Sequence, residues 1–315
     1  SFPTRRSSDL LDNANDGVYI GANKYNSFAY ADDLTLFSTS ATGMQRLINI
    51  CKSYANTWRF SFGASKTQLM CTDLKVFQHA PSIFLGHHKL KYVNEIKILG
   101  ITYSRSGSYD QHVQNRISAA RRSMYKYSDK GWSYPGVSSG VKSYMWNSTG
   151  VPSLTFGLDC VSLSKQNFQQ LESAQGTMIK NSLGLGKRHH HTQLLSALNI
   201  TNVSEVVKRD TVSLASRLCK VPSPARSLFL YHVALQITKG VTIPGTIVDR
   251  LSKFGVLPLQ VVLRGARVSY NGVRMKPQTE PTGLTDSLTY LVHHKNFNSS
   301  GSSEHQLVKL LTKAF

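Results

Sequence analysis

A chain of 315 residues is long enough for about two domains with at least one sizeable core. Its 37 Lys and Arg against 17 Asp and Glu leave a formal charge of +20. That surplus points to a polyanionic partner, most simply nucleic acid held through its phosphates, and argues against a neutral glycan as substrate.

No apolar stretch approaches the roughly 20 residues that span a bilayer, and no signal peptide is visible, so a membrane partner is not expected. The cysteines, Cys51, Cys71, Cys160 and Cys219, lie far apart without Cys-x-x-Cys spacing. Neither a zinc finger nor a disulfide framework follows from them, and an intracellular setting is the expectation.

In chain order, the first ten residues, SFPTRRSSDL, look like a translated sequencing-library adapter and are set aside from fold reasoning. Residues 17–21 form a short β-like run, and 23–27 read as a polar turn. Asp32 and Asp33 then sit between two short apolar runs, Phe28-Ala29-Tyr30 and Leu34-Thr35-Leu36-Phe37, which read as buried strands meeting at a bend. Adjacent strand residues point to opposite faces, so the two carboxylates address one ion only if the bend rotates them together. Burying paired carboxylates is costly and a divalent cation is the usual remedy; ordinary turn residues are the plain alternative.

After this hairpin, Ser40 or Thr42 caps a predicted helix whose Met44, Leu47, Ile48, Cys51, Ala55 and Trp58 follow a 3.6-residue period. Residues 60–71 alternate into and out of a break at Gly63 that holds Lys66. Residues 95–103 alternate into Leu99-Gly100, where glycine lets the backbone come close to a nucleic-acid strand; a plain hairpin would need no such partner. Residues 109–127 read as a helix with Val113, Ile117, Ala120 and Met124 inward, and with Arg116, Arg121, Arg122 and Lys126 over the rest.

Residues 180–226 then carry eight Lys and Arg against two acidic residues, with His189-His190-His191 read as part of a basic turn rather than a metal site. Beyond about residue 200, helical patches at 203–218 and 228–237 alternate with breaks at Pro222-Ser223-Pro224, Pro244-Gly245 and 277–283. A polar linker follows at 296–303, and no role is legible in this region.

Tyr30-Ala31-Asp32-Asp33 resembles the Tyr-x-Asp-Asp motif of reverse transcriptases, in the form common among non-LTR (LINE-type) retrotransposons. Residues 60–71 resemble that family's motif D. There Gly63 stands at the usual Asn, a departure expected to loosen the turn, and Lys66 matches the lysine held to protonate the pyrophosphate leaving group. Ile98-Leu99-Gly100 resembles the primer-grip Tyr-Leu-Gly of motif E, with Ile98 at the Tyr position. More faintly, residues 151–159 resemble the Pro-x-Leu-x-Tyr-Gly segment after the thumb, and residues 166–185 resemble the helix that follows it in the family. Motifs C, D and E in this order and spacing are jointly specific over 11–104.

The resemblance implies an α+β fold. Residues 11–104 would be the C-terminal half of a polymerase palm, an antiparallel sheet with a packed helix. Residues 105–200 would be the thumb and the helices after it, and 201–315 a mostly helical region. It implies an RNA-directed DNA polymerase that works by two-metal nucleotidyl transfer on an RNA template, a DNA primer and deoxynucleoside triphosphates, with two Mg²⁺ ions. Asp32 and Asp33 would bind metal and Lys66 would act as general acid. Tyr30, Leu99 and Gly100 would lie at the primer, while Arg116, Arg121, Arg122 and Lys126 would meet phosphates.

Target-primed synthesis would place the protein in the nucleus. The family's upstream motif A, with its further metal-binding Asp, does not fit before Asp32. A C-terminal fragment that binds without extending is therefore expected; the alternative is a non-catalytic, basic nucleic-acid-binding remnant. A glycosidase pair suits the sequence poorly, since its carboxyls stand ~5–9 Å apart across a sugar.

Overall fold

The computed structural model describes residue 11 and residues 13–21, 23–73, 81–186 and 190–262. Helices and short strands are mixed along them, compatible with the α+β class. The chain divides into two units, residues 1–111 and 112–315. The adapter-like residues 1–10, the basic pair Lys187-Arg188 with His189, the break at 277–283 and the linker at 296–303 lie outside the described residues.

The strands of the first unit pair in twos. β1 (Val18–Ile20) and β2 (Asn23–Tyr25) are antiparallel, Val18 opposite Tyr25. β3 (Ser27–Tyr30) and β4 (Asp33–Leu36) follow, Tyr30 opposite Asp33. β5 (Gln68–Leu69) runs parallel to β8 (Lys91–Tyr92), while β6 (Phe84–Leu85) pairs with β7 (His88–Lys89). β9 (Glu95–Ile98) and β10 (Ile101–Ser104) close the series. The polar turn expected over 23–27 is mostly strand β2. Ladder bonds come from the backbone, so polar side chains do not prevent pairing, and Gly21 at φ +60° makes the reversal.

Helix α1 (Ala41–Thr57) starts where Ser40 accepts a hydrogen bond from Gly43 N at 3.1 Å. Its 3.6-residue period buries Leu47, Ile48, Cys51, Tyr54 and Ala55. Trp58, expected on that face, is instead half exposed. The helix ends at Thr57 and Arg59 turns left-handed at φ +56°, so Trp58 falls past the last turn while Tyr54 takes the inward position. Two clusters cover this face: Ile48 with Leu69, Ile83 and Leu90, and Leu47 and Cys51 with Leu11. Burial pushes the Cys51 thiol up to about 11.

The second unit is helical in its described part: α2 (Asp110–Tyr125), α3 (Ser139–Met145), α4 (Val151–Thr155), α5 (Lys165–Ser182), α6 (His191–Ala197), α7 (Val203–Leu218), α8 (Pro224–Lys239) and α9 (Ile247–Lys253). The predicted inward set of α2, Val113, Ile117, Ala120 and Met124, is buried, and His112 joins it. Pro222-Ser223-Pro224 is a start signal as much as a break. Ser223 caps α8 from its side chain and Pro224 occupies the first turn, where a missing N–H costs nothing. Of the His triplet, the described His190 precedes α6 and His191 is its first residue, where a turn was expected.

Residue 200 is bridged by the buried Gln175 of α5. Its amide donates to the Thr201 carbonyl and accepts from Val203 N, each at 2.9 Å. A core of Ala215, Phe229, Leu230, Val233, Val248 and Leu251 joins α7, α8 and α9.

Between α3 and α4 the chain widens into a single π turn, Trp146–Gly150. The fully buried Trp146 indole stacks on Trp132, centroids 6.2 Å apart. A Cβ on Gly150 would stand 2.3 Å from that indole, a rigid ring without room to yield. Gly150→Ala is expected to destabilise the chain by about 2 kcal/mol through overpacking, measured as a lowered urea midpoint at unchanged m.

Candidate active site and nucleic-acid surface

The β3–β4 hairpin turns on two residues, Ala31 and Asp32, and Ala31 is forced to φ +51°. The predicted bend therefore falls at the acidic pair: Asp32 is the second turn residue and Asp33 the first of β4. On β4, Leu34 and Leu36 pack toward α1, Leu34 on the Leu47–Cys51 cluster and Leu36 on both clusters. Asp33 and Thr35 alternate with them along the strand.

The flanking strands are less buried than the sequence suggested. Phe28 and Tyr30 are exposed at 53% and 66%, and both carboxylates are exposed. Phe28 is held edge-on to Phe37, centroids 5.3 Å apart. Behind the hairpin, Arg46 of α1 grips Asp16 through two nitrogens at 2.8 and 2.6 Å, and its guanidinium holds the Asp16 carboxyl below the usual carboxylate range.

Lys66 lies at the end of a tight turn and is exposed. The Gly63 carbonyl accepts from Lys66 N, Thr67 N and the Thr67 hydroxyl, all at 3.0 Å. Three donors close this turn, and the atoms nearest to a Cβ built at Gly63 belong to the Lys66 side chain at 3.9 Å. Among the described residues, no hydrogen bond or ion pair joins Lys66 to Asp32 or Asp33, and no group of three or more His, Cys, Asp or Glu side chains converges.

The β9–β10 hairpin also turns on two residues. Leu99 at φ +48° and Gly100 at φ +84° close it between Ile98 and Ile101, the pattern of a type I′ turn. Leu99 is half exposed and holds a left-handed backbone that a leucine rarely adopts.

The basic residues of α2 and of the turn that follows it, which holds Lys126, divide into two kinds. Arg121, Arg122 and Lys126 are exposed. Arg116 is partly buried, with its guanidinium 5.3 Å over the Phe156 ring; burial first, and the Arg122 charge second, pull its pKa down. One turn earlier, the buried His112 hydrogen-bonds the Phe156 backbone. His112 and Arg116 together clamp Phe156, the aromatic just before Gly157 at φ +73°. Arg116, expected at phosphates, thus lies over an aromatic ring, and His112 joins it there without having been expected; their four-residue spacing on one helix is the signal the sequence offers.

Residues 8–103 match the family profile described as reverse transcriptase (RNA-dependent DNA polymerase). The matched stretch begins inside the adapter-like segment and ends in β10, taking in the acidic hairpin, the Gly63–Lys66 turn and the Leu99-Gly100 turn. It supports a reverse transcriptase domain over these residues. No curated protein and no solved structure matches the chain.

Mg²⁺ is commonly held by one or two carboxylates together with substrate phosphates and water, a donor set that exposed, adjacent Asp32 and Asp33 fit chemically. No helix among the described residues is long and apolar enough to cross a membrane.

Two measurements test this geometry. Leu99→Asn places a residue tolerant of left-handed backbone at the turn, and the melting temperature should rise by the equivalent of about 1 kcal/mol; a fall would refute the strain. His112 bears on pH. Burial first, then Arg116, hold its pKa below the ordinary histidine value, outweighing the Phe156 hydrogen bond. As pH falls through about 6.5 the unfolded chain takes the proton first, so stability is full above that value and is lost until pH passes the folded pKa. His232, also lowered by burial, acts in the same direction. The urea midpoint should drop between pH 7 and 5, and His112→Gln should shrink that drop without abolishing it.

Proposed function

We propose that this chain is the palm-and-thumb portion of a non-LTR retrotransposon reverse transcriptase, with Asp32 and Asp33 as metal-binding carboxylates for DNA synthesis on an RNA template. The observation that carries the reading is the two-residue hairpin that exposes both carboxylates inside the matched stretch. A bound Mg²⁺ pair would lower the pKa of the primer hydroxyl and neutralise the charge growing on the pyrophosphate.

The chain's own residues then have separate duties. Asp32, in the turn, and Asp33, on β4, present carboxylate oxygens that are already hydrated, so little is lost in exchanging water for ligand. Tyr30, opposite Asp33, offers an exposed ring against the primer end. Lys66 holds a proton on Nζ, on a turn closed by three hydrogen bonds, for transfer to the leaving pyrophosphate. Leu99 and Gly100 bring backbone close to the primer. Arg121, Arg122 and Lys126 meet duplex phosphates without reading sequence. Arg116 supports them from beneath, by fixing Phe156.

In this reading a further carboxylate comes from a motif A outside the chain. A second reading, a non-catalytic nucleic-acid-binding remnant, draws on the basic helix α2, which lies beyond the matched stretch. Primer extension and binding titration, run side by side, separate the two. The 315-residue chain should bind primer–template with strong salt dependence and incorporate no nucleotide. In an enzyme that also carries motif A, Asp32→Asn should reduce Mg²⁺-dependent extension at least about a thousandfold while binding persists. Near-normal extension by that variant would refute the metal role; no extension even with Asp32 intact would favour the remnant.

A further inference from the structure

Helix α5 carries an uncharged polar stripe in a strongly basic chain. Gln166, Gln169, Gln170 and Ser173 recur at helical spacing on its outer side. They line an open groove of about 360 Å³ whose other wall is α2, with Gln114 and Arg121. The Gln114 amide donates to Gln170 Oε1 at 3.0 Å across it. The buried Ile117 and Ala174 lie at its base, giving the amides an apolar floor. A concavity of this size is within the range of ligand clefts, and its lining holds a single charge, Arg121.

We infer that this groove holds a single-stranded stretch of nucleic acid and reads its bases through hydrogen bonds from the α5 glutamines. The inference rests on the reading of the chain as a nucleic-acid-binding protein, and adds the state of the strand and the residues that discriminate its bases. A carboxamide both donates and accepts, which is what the edge of an unpaired base requires. A polypeptide ligand could use the same groups, but the net charge of +20 draws in a polyanion, and Arg121 in the wall can pair with a phosphate beside the seated bases.

The shape favours a single strand. A duplex keeps its bases paired and is read by an element that protrudes into its own grooves, whereas splayed bases of a single strand enter clefts. The lining contains no aromatic residue, so sequence-tolerant stacking is not its means of grip. Hydrogen bonds are, and these discriminate among bases.

Fluorescence anisotropy of the full 315-residue chain with labelled oligo(A), oligo(C) and oligo(U) RNA of equal length, at several salt concentrations, tests this. Wild type should favour one homopolymer over the others by about tenfold. Gln166→Ala/Gln169→Ala/Gln170→Ala, changes on the outer side of the helix at two exposed positions and one half-buried one, all keeping helix propensity, should erase that preference and leave the salt slope unchanged. Arg121→Ala should do the reverse, lowering the slope by about one while keeping the preference. Equal affinity of wild type for all three RNAs, or a preference untouched in the triple variant, would overturn the inference and leave the groove to another polar ligand such as a peptide. Failure to bind any nucleic acid would instead sink the functional reading on which it rests.

Discussion

The first unit depends on the packing of two leucines, Leu34 and Leu36, against helix α1. They stand two residues apart on β4 and between them touch both hydrophobic clusters that cover α1. Strand side chains alternate with period two, so this packing fixes which residues of β4 face the core. A slip of one residue would send Asp33 and Thr35 toward Ile48 and Leu47, at the cost of desolvating a carboxylate. The register of the hairpin is therefore set from inside, and the acidic turn is carried outward as a consequence. An exposed carboxylate pair keeps its hydration, whereas a buried one would need a counter-charge merely to fold.

The β3–β4 and β9–β10 hairpins each place a residue with a side chain where glycine is at ease. Ala31 and Leu99 hold left-handed backbone at the first turn position, each in a two-residue loop inside the matched stretch. The right-handed twist of paired strands demands such turns, but it does not demand Ala or Leu in them. The strain is small at each position, and the closing pairs Tyr30–Asp33 and Ile98–Ile101 hold it in place. In the proposed reading these are the two points where the chain comes closest to the primer, which is where local strain is most easily tied to a ligand's needs.

How much of this was legible in the sequence follows the physical range of each signal. Local signals were legible: Ser40 as a cap, the inward faces of α1 and α2, the helix at 203–218 and the bend at Asp32 all come from short-range sterics and 3.6- or 2-residue periods. Asn23–Tyr25 was not, because its pairing with Val18–Ile20 is made by backbone groups that leave no mark on side-chain pattern. Trp58 was misplaced because the periodic rule has no sense of where a helix stops. The π turn at Trp146 was invisible, since it goes with a buried indole that stacks on Trp132 outside its own helix. In the site, the carboxylates and Lys66 were recognisable as a pattern, but the withdrawal of Arg116 onto Phe156 depends on a contact 40 residues away.

That withdrawal changes how the basic helix should be understood. Three cations on α2 and Lys126 just past its end read alike in sequence, yet of these only Arg121, Arg122 and Lys126 are exposed, and Arg116 lies over an aromatic ring. Arg121 also borders the glutamine groove, so one side chain adjoins both the charged surface and the amide-lined cleft. Charge and hydrogen bonding differ in reach: the field of +20 acts over roughly a Debye length, whereas an amide acts only at contact. A strand drawn in by the field would be sorted only after it reaches the cleft. Affinity would then fall steeply with salt while selectivity among bases would not, which separates the work of the arginines from that of the glutamines.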